Sequence, residues 1–360
     1  MNKADSERIA TVLENTGYQP AQEIKQADLI LVNMCSVRQS AVDRVYGKAK
    51  EFLKLKAKNQ KLKTVLTGCI TKKDFEKFKN FFDFILPINT LEKWPEILQK
   101  ENNFFSPAIE RNGNYLKINP KRKNKKLAYI PISTGCNNFC TYCVVPFTRG
   151  RLICRDPKEI LKEVKTAVKK GAKEIWLLGE NVNDYKFNLT TNSSKIKTID
   201  FAKLVKMVND LPGDFKFFFT SPHPKNFSNE LIETLASCEK FGKVLNLPVQ
   251  SGDNEILKKM NRNYTVEEYK NLVKKIREKI PDIKLSTDVI VGFPGETKKQ
   301  FQNTVKLFKE VKFNWAYISK YSPRPGTAAF LMEDNIPLEE KKRREKVLRD
   351  LIAKINEKRK

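Results

Sequence analysis

In the stretch GCNNFCTYC, residues 135–143, Cys136, Cys140 and Cys143 lie at the spacing C-x3-C-x2-C. A short loop with this spacing can bring three thiolates to three irons of one four-iron, four-sulfur (4Fe–4S) cluster, which leaves the fourth iron open for another ligand. The alternatives are a zinc site and three unrelated thiols. Zinc normally takes four ligands, often as paired C-x2-C units, and the chain has no second pair of this kind. We therefore predict a 4Fe–4S cluster on this loop.

The composition of the 360-residue chain is strongly basic, with 69 Lys and Arg against 42 Asp and Glu and a formal net charge of +27. Such an excess indicates a polyanionic partner, most simply nucleic acid, and the alternative is a solvated lysine-rich surface. We find no signal peptide pattern and no apolar run approaching the ~20 residues that span a bilayer. We therefore expect no membrane partner and a cytoplasmic location, where reducing conditions keep thiolates available for iron.

Residues 1–100 alternate between helical and strand patterns. Short, nearly continuous apolar runs are typical of buried parallel strands, whereas apolar side chains three or four residues apart are typical of helices. On this basis we predict an α/β fold that begins with a small doubly wound amino-terminal domain. Its predicted strands are 27–33, 63–67 and 84–87, and its predicted helices are 6–16, 37–58, 71–80 and 91–99.

Two further cysteines, Cys35 and Cys69, come just after the first two predicted strands. The carboxyl ends of parallel strands meet at one edge of an open sheet, and that edge is where ligands bind. The matched placement favours a metal site formed by both thiols. The alternative is that they are two small buried residues, since free cysteine packs well.

A connecting segment, residues 101–126, follows and has no apolar periodicity; we predict a linker here. Beyond it, strand and helix alternate at a longer period, which predicts a partial (βα)6 barrel over residues 127–336. A charged helix at 337–360 is expected to pack on its outside. The predicted barrel strands are 127–133, 174–178, 215–220, 244–249, 284–291 and 313–319, and the helices are 157–170, 200–209, 227–237, 265–279 and 297–310.

Polar, glycine or proline residues follow every predicted barrel strand. The working face of such barrels lies at the carboxyl ends of the strands, so these residues are candidates for binding a cofactor. The alternatives are loop packing for Tyr142, a capping hydrogen bond for His223, a structural cap for Asp288 and a tight turn for Gly292. The candidate cofactor-binding residues are Tyr142, Glu180, Asn181, His223, Gln250, Asp288 and Gly292.

Basic residues lie close in sequence to the cysteine loop on both sides. They can reach the phosphates of a nucleic acid, and the alternative is a solvated surface. The candidate RNA-binding residues are Lys121, Arg122, Lys123, Lys125 and Lys126 before the loop, and Arg149 and Arg151 after it.

Seven motifs together resemble the radical S-adenosylmethionine (SAM) methylthiotransferases, most closely the tRNA branch. The resemblance extends over almost the whole chain and is more specific than the three-cysteine pattern alone. The motifs are NMCSVR (33–38), TGC (67–69), GCNNFCTYCVVPFTRG (135–150), LLGENVN (177–183), LPVQSG (247–252), DVIVGFPGET (288–297) and SPRPGT (322–327).

The resemblance implies a radical-SAM barrel with two 4Fe–4S clusters. The first cluster maps onto Cys136, Cys140 and Cys143, with SAM on its open iron, and one electron from it releases a 5′-deoxyadenosyl radical. An auxiliary cluster that carries the sulfur to be inserted maps onto Cys35 and Cys69. The implied partners are tRNA and an electron donor such as a flavodoxin or a ferredoxin, and a monomer is expected.

The resemblance also implies the reaction, which is addition of a methylthio group to C2 of N6-isopentenyladenosine next to the anticodon. Relatives with the same chemistry modify threonylcarbamoyl-adenosine in tRNA or a ribosomal-protein aspartate, so these substrates are alternatives. A further alternative is a truncated, non-catalytic RNA-binding fragment.

Two departures from the family pattern motivate that last alternative. The family's third auxiliary ligand lies in a Gly-Cys-Gln-Met-Asn motif, of which Met1-Asn2 resembles the last two residues, so the third cysteine is missing from this chain. The family's RNA-binding β-barrel domain, expected after residues 337–360, is also absent. We therefore expect a truncated start and a missing carboxyl-terminal domain.

Overall fold

A computed structural model of the chain describes residues 1–37, 39–99, 113–190 and 196–357. The amino-terminal part is built on a parallel sheet with the strand order β1-β2-β3. Its elements are α1 (Asn2–Asn15), β1 (Leu29–Met34), α2 (Gln39–Lys58), β2 (Lys63–Gly68), α3 (Lys72–Phe78), β3 (Phe84–Ile85) and α4 (Trp94–Gln99).

Helices cover both faces of this sheet. On one face α1 and α4 bury Ile9 and Trp94 against the strands, and on the other face α2 and α3 bury Phe52 and Phe78. Burial on both faces explains why the strands have continuous apolar runs rather than an alternating pattern. The predicted α/β architecture of this part is confirmed.

The rest of the chain contains six parallel strands that form an open barrel. Two three-stranded ladders have the orders β10-β7-β4 and β11-β12-β13, and among the described residues no ladder joins β4 to β13. The elements are β4 (Leu127–Pro131), β5 (Ser133–Thr134), α5 (Val145–Thr148), β6 (Ile153–Cys154), α6 (Pro157–Lys169), β7 (Glu174–Leu178), β8 (Lys186–Thr190), β9 (Ile196–Asp200), α7 (Phe201–Asn209), β10 (Lys216–Phe219), α8 (Asn229–Ser237), β11 (Val244–Asn246), α9 (Asn254–Lys259), α10 (Val266–Lys279), β12 (Lys284–Val291), α11 (Lys298–Val311), β13 (Trp315–Lys320) and α12 (Leu338–Glu357).

The predicted partial (βα)6 barrel is confirmed, with a separate hydrophobic core enclosed by its strands and helices. The carboxyl-terminal helix α12 packs on this core through the fully buried Leu348. The helices in the described part of the chain lack the combination of length and apolar character that crossing a bilayer requires.

Several short features were not predicted from the sequence. β5 and β6 form a small antiparallel pair, β8 and β9 form an antiparallel hairpin, α5 is a helix of 4 residues and α9 is a helix of 6 residues. Each is too short for its apolar periodicity to stand out from the flanking loops.

Part of the predicted linker packs against the amino-terminal core. Residues 101–112 lie outside the described residues, but Tyr115 and Leu116 are buried in the amino-terminal core. Two large apolar side chains sufficed to anchor a segment that has no periodic pattern.

Candidate active site

The three thiols of residues 135–143 lie on a loop at the carboxyl end of β4. Gly135 has a φ of +79°, and a side chain there would meet the carbonyl oxygen of Arg151 at 2.2 Å, so glycine is required. The Cys136 amide donates to the Gly150 carbonyl at 3.2 Å, and the Cys143 amide donates to the Cys140 carbonyl at 2.9 Å. All three cysteines are half-buried, which suits ligands that are held in place and still reachable by a substrate.

Residues that follow α9 hold the far side of this loop. The Asn261 side chain donates to the carbonyls of Asn138 and Phe139, at 3.1 Å each, and the Arg262 guanidinium donates to Sγ of Cys140 at 3.6 Å. Tyr264 and the Pro248 carbonyl fix the remaining nitrogens of that guanidinium. The buried Arg262 guanidinium thus faces the Cys140 sulfur. Sequence reasoning missed Arg262, because it is far from the loop in sequence.

The three thiols fit a cluster better than a single metal ion. Among the described residues, no three His, Cys, Asp or Glu side chains converge on one ion. A 4Fe–4S cluster does not need such convergence, because each thiolate binds a different iron. Burial raises the pKa of Cys143 to about 12, and the nearby Cys140 and Cys136 contribute to that rise. Cys143 therefore lies close to the other two thiols, in an environment that disfavours its own free thiolate.

Cys35 and Cys69 lie together at one edge of the amino-terminal sheet. The parallel register pairs Asn33 with Thr67 and Met34 with Gly68, so each cysteine is the next residue after the ladder. The Cys69 amide continues the ladder to the Met34 carbonyl at 3.0 Å. Burial raises the pKa of Cys69, and the neighbouring Cys35 raises it further. The predicted meeting of these two thiols agrees with the register.

Arg149 connects the two groups of cysteines. Its side chain is 1% exposed, and it ion-pairs with Asp5 of α1 at 2.6 Å. Its Nε donates to Sγ of Cys69 at 3.3 Å and lies 3.7 Å from the Glu180 carboxylate. Burial raises the pKa of Glu180 despite Arg149. The prediction that Arg149 contacts RNA phosphates is therefore wrong, because its charge is enclosed and already paired.

The two groups of cysteines face each other across the junction of sheet and barrel. Cys69 lies near enough to Cys143 for its charge to raise the pKa of that thiol. Arg324, in the loop after β13, donates to Oε1 of Gln39 at 2.8 Å. Burial lowers the pKa of Arg324, and the nearby Cys35 acts in the opposite direction. Its Nη2 is buried and has no partner among the described residues. Sequence reasoning quoted Arg324 within a motif but gave it no role.

Among the buried polar atoms without partners in the described part of the chain, four lie at the carboxyl ends of three neighbouring strands. They are Oγ of Ser133, both side-chain polar atoms of Asn181 and Nε2 of His223. Leaving such groups unsatisfied costs about 1–3 kcal/mol each, so a polar ligand is expected here. Burial lowers the pKa of His223 to about 3. His223 also accepts the Lys225 amide through Nδ1, so the capping alternative is confirmed, while Nε2 stays available.

Other candidate residues line a cavity beside the cysteine loop. It has a volume of about 680 Å³, and its walls include Tyr142, Cys143, Gln250 and Asp288. Tyr142 also packs on a small apolar cluster around Phe293. The cavity therefore brings three predicted cofactor-binding residues next to one predicted cluster ligand.

Gly292 and Glu180 make structural contacts. Gly292 has its amide bonded to the Glu296 carboxylate at 2.7 Å, and a side chain there would meet Lys341 at 2.4 Å. The tight-turn alternative therefore fits Gly292, and its assignment to the cofactor stays a prediction. The Glu180 carboxylate accepts the Gly135 amide at 3.0 Å and so holds the start of the cysteine loop.

The basic residues before the loop divide into two kinds. Arg122 is 11% exposed and ion-pairs with the buried Glu163 of α6, so its prediction as a phosphate contact is also wrong. Lys121 is exposed but pairs with Glu14. Arg151 is exposed and stacks on the ring of Phe139 at 4.2 Å. The remaining predicted lysines, Lys123, Lys125 and Lys126, are exposed.

Comparison with known proteins agrees with this arrangement. Residues 130–308 match the radical SAM superfamily, and residues 1–86 match a family described as uncharacterized protein family UPF0004. The tRNA-2-methylthio-N(6)-dimethylallyladenosine synthase of Clostridium botulinum is 40% identical over 99% of this chain and 81% of its own length. The chain belongs to the radical-SAM methylthiotransferase family. The methylthiotransferase of the same name from Dictyoglomus thermophilum is 41% identical over 99% of this chain and 81% of its own length.

Solved structures show the same fold at much lower identity. The radical SAM methyltransferase TsrM from Kitasatospora setae has a TM-score of 0.62 at 14% identity, over 88% of this chain and 70% of that protein. The cobalamin-dependent SAM radical enzyme OxsB has a TM-score of 0.59 at 14% identity, over 98% of this chain and 53% of that protein. Membership of the radical-SAM methylthiotransferase family implies that the chain binds a 4Fe–4S cluster and SAM.

Proposed function

We propose that this chain adds a methylthio group to C2 of N6-isopentenyladenosine next to the anticodon of tRNA. The observation that supports this most directly is the placement of two groups of cysteines, one on each side of the junction between sheet and barrel. Arg149 contacts Cys69 on the sheet side and lies 3.7 Å from Glu180 on the barrel side. The relatives at about 40% identity carry a tRNA methylthiotransferase name, which favours this substrate over threonylcarbamoyl-adenosine or a ribosomal-protein aspartate.

Cys136, Cys140 and Cys143 are proposed to hold the radical-SAM cluster. When bound, this cluster supplies the electron that cleaves SAM reductively. Arg262 donates toward Cys140 and places positive charge beside the anionic ligand set. Hydrogen bonds to cluster sulfurs are one of the ways a protein sets the reduction potential. Asn261 and Glu180 keep the loop in shape by bonding its backbone.

Cys35 and Cys69 are proposed as protein ligands of an auxiliary cluster, as the family resemblance implies. Arg149 and Arg324 approach this pair from the barrel, one after β4 and one after β13. Two buried guanidinium groups would compensate the negative charge of deprotonated thiolates, which is otherwise costly to bury.

SAM is proposed to bind at the strand ends that carry Ser133, Asn181 and His223. Their unpartnered polar atoms match the amino, carboxylate and hydroxyl groups of such a ligand. Because Nδ1 accepts the Lys225 amide, neutral His223 carries its proton on Nε2 and can donate one hydrogen bond there without adding charge. Tyr142, Gln250 and Asp288 line the adjoining cavity, which is proposed to admit the substrate base.

The exposed Lys121, Lys123, Lys125, Lys126 and Arg151 are proposed to contact tRNA phosphates. A flavodoxin or ferredoxin as electron donor, a monomeric state, a cytoplasmic location and the domain boundaries stay predictions.

The test is an anaerobic assay of the reconstituted chain with SAM, dithionite and tRNA that carries N6-isopentenyladenosine but no methylthio group. We expect 5′-deoxyadenosine to form. We also expect a nucleoside whose mass has increased by replacement of one hydrogen with a methylthio group. A matched tRNA with unmodified adenosine at that position should give less product. Cleavage of SAM with neither tRNA modified would contradict the proposed function, and no cleavage at all would also contradict the first cluster.

A further inference from the structure

One outer helix of the barrel, α6, presents a row of lysines with no acidic counterpart in the described part of the chain. Lys158, Lys162, Lys165 and Lys169 are exposed and line one shallow groove with Leu161 and Thr166. Their spacing of four, three and four residues places them on one face of the helix. With a rise of 1.5 Å per residue, the row is about 16 Å long. It is therefore a continuous cationic stripe.

The carboxylates of α6 cannot neutralise this stripe. Glu163 is on the inner face, 5% exposed, and is occupied by Arg8 at 3.0 Å, by Arg155 at 2.7 Å and by Arg122. Glu159 is half-buried, and its charge raises the pKa of Arg155 against the lowering effect of burial. Among the described residues no carboxylate pairs with any of the four lysines. The net positive charge of the stripe therefore faces solvent undiminished.

The basic helix α12 is built differently. On α12, five basic side chains pair with carboxylates three or four residues away, at 2.6–2.8 Å. Such i,i+3 and i,i+4 pairs are the usual way a solvated helix balances its charge. α6 lacks such pairs among the described residues and instead gathers four unpaired lysines on one face.

The stripe begins near the cysteine loop. α6 starts at Pro157, shortly after β6, and β6 pairs with β5, which leads directly into Gly135. Arg122 pairs with Glu163 on the inner face of α6, so the segment that carries the basic run is held to the same helix as the stripe.

We propose that the α6 stripe binds the phosphate backbone of the anticodon stem and so orients the tRNA while its target base lies at the cysteine loop. This rests on the proposed function and adds a surface to it. Lysines reach phosphates as point charges and read no sequence, so the stripe would position the tRNA without selecting it.

The experiment compares two quadruple variants that remove the same number of charges. One is Lys158→Gln, Lys162→Gln, Lys165→Gln and Lys169→Gln on α6. The other, on α10 and α11, is Lys279→Gln, Lys298→Gln, Lys299→Gln and Lys309→Gln, at exposed lysines that likewise lack a carboxylate partner among the described residues. Binding of unmodified tRNA is measured over a range of salt concentrations, with tRNA-independent SAM cleavage by dithionite as the folding control.

We expect the α6 variant to bind tRNA roughly tenfold more weakly, with a salt slope reduced by about 0.7–0.9 for each phosphate that the variant no longer neutralises. The control variant should keep both values near those of the unchanged chain. Acylation of lysines, followed by mass spectrometry of the unchanged chain, should show that tRNA protects the α6 lysines and not the control set. Equal effects of the two variants, or equal protection, would overturn the proposal.

Two other outcomes distinguish this proposal from a protein-docking role of the stripe and from the proposed function. If the α6 variant binds tRNA normally but requires more of a flavodoxin-type donor for SAM cleavage, the stripe is a protein-docking surface and the proposal is overturned. If tRNA binding depends on α6 but no methylthio nucleoside forms, the docking proposal stands and the proposed function fails.

Discussion

The two groups of cysteines differ in how the fold positions them. The three thiols of the barrel lie within one loop of nine residues, whose shape is set by Gly135 and by short backbone hydrogen bonds. The two thiols of the sheet are 34 residues apart in sequence and meet only because β1 and β2 are paired in a particular register. The first group is a local structure, and the second is a product of tertiary packing.

This difference predicts different responses to mutation. A loop that is shaped by its own sequence should tolerate changes elsewhere in the chain, apart from the few residues that contact it. The sheet pair should depend on the contact between sheet and barrel, because Arg149 reaches Cys69 from the barrel side. The following predictions test this contrast, beginning with the largest expected effect.

Replacing a loop thiol should abolish SAM cleavage. In Cys140→Ala, 5′-deoxyadenosine formation with dithionite should fall to background, because two remaining loop thiolates do not hold the cluster. The control is Cys238→Ala, which removes a buried thiol in the barrel core and should retain most of the cleavage activity. Undiminished cleavage in Cys140→Ala would remove the basis for the loop assignment.

Replacing a sheet thiol should separate cleavage from transfer. In Cys35→Ala, methylthio product should fall by at least the roughly 10–100-fold typical of disturbed metal sites, while SAM cleavage continues. Iron per chain is the independent measurement, and it should fall if the pair binds iron. Unchanged iron content together with unchanged product would show that Cys35 is a packing residue.

Breaking the connection at Arg149 should destabilise the junction. Arg149→Gln leaves Asp5 buried without its partner, and the expected decrease in the free energy of unfolding is about 3–5 kcal/mol. Adding Asp5→Asn should recover part of this decrease, which a double-mutant cycle by denaturant unfolding measures. If Arg149→Gln costs no more than an exposed substitution such as Lys309→Gln, the pair does not hold the junction together.

Titration of His223 should give the smallest effect. Its pKa is about 3 in the folded chain, against an ordinary value of 6.5, so the unfolded chain binds more protons between these values. Stability should therefore fall as the pH drops below about 6.5, by at most about 1.4 kcal/mol per pH unit from this group. Denaturant unfolding of His223→Gln at several pH values should show a shallower slope, and an identical slope would exclude His223 as a cause.

Sequence reasoning placed the strands and helices of the barrel accurately because their patterns are long and strongly periodic. The predicted strand 284–291 coincides with β12, and the predicted helix 265–279 differs from α10 by a single residue. The sequence could also locate the loop thiols and the sheet thiols, since both follow strand ends. These placements need only periodicity and the direction of parallel strands.

The charged contacts could not be predicted in the same way. Arg149 and Arg151 are separated by one glycine, yet one is buried in an ion pair and the other is exposed on an aromatic ring. Their difference depends on α1 covering one side of the loop, and no local pattern encodes this. Arg262 and Arg324 were overlooked for the same reason, because their partners are distant in the chain.

The buried arginines also determine how the molecule should come apart. Arg8 pairs with Glu163, Arg149 pairs with Asp5, and Arg324 bonds to Gln39, so each contact joins the amino-terminal sheet region to the barrel. If one hydrophobic core unfolded alone, the folded part would keep buried charged side chains without their ion-pair partners, at a cost of several kcal/mol. Opening both cores together avoids that intermediate. The two cores should therefore melt in a single cooperative transition, even though their apolar side chains form separate clusters.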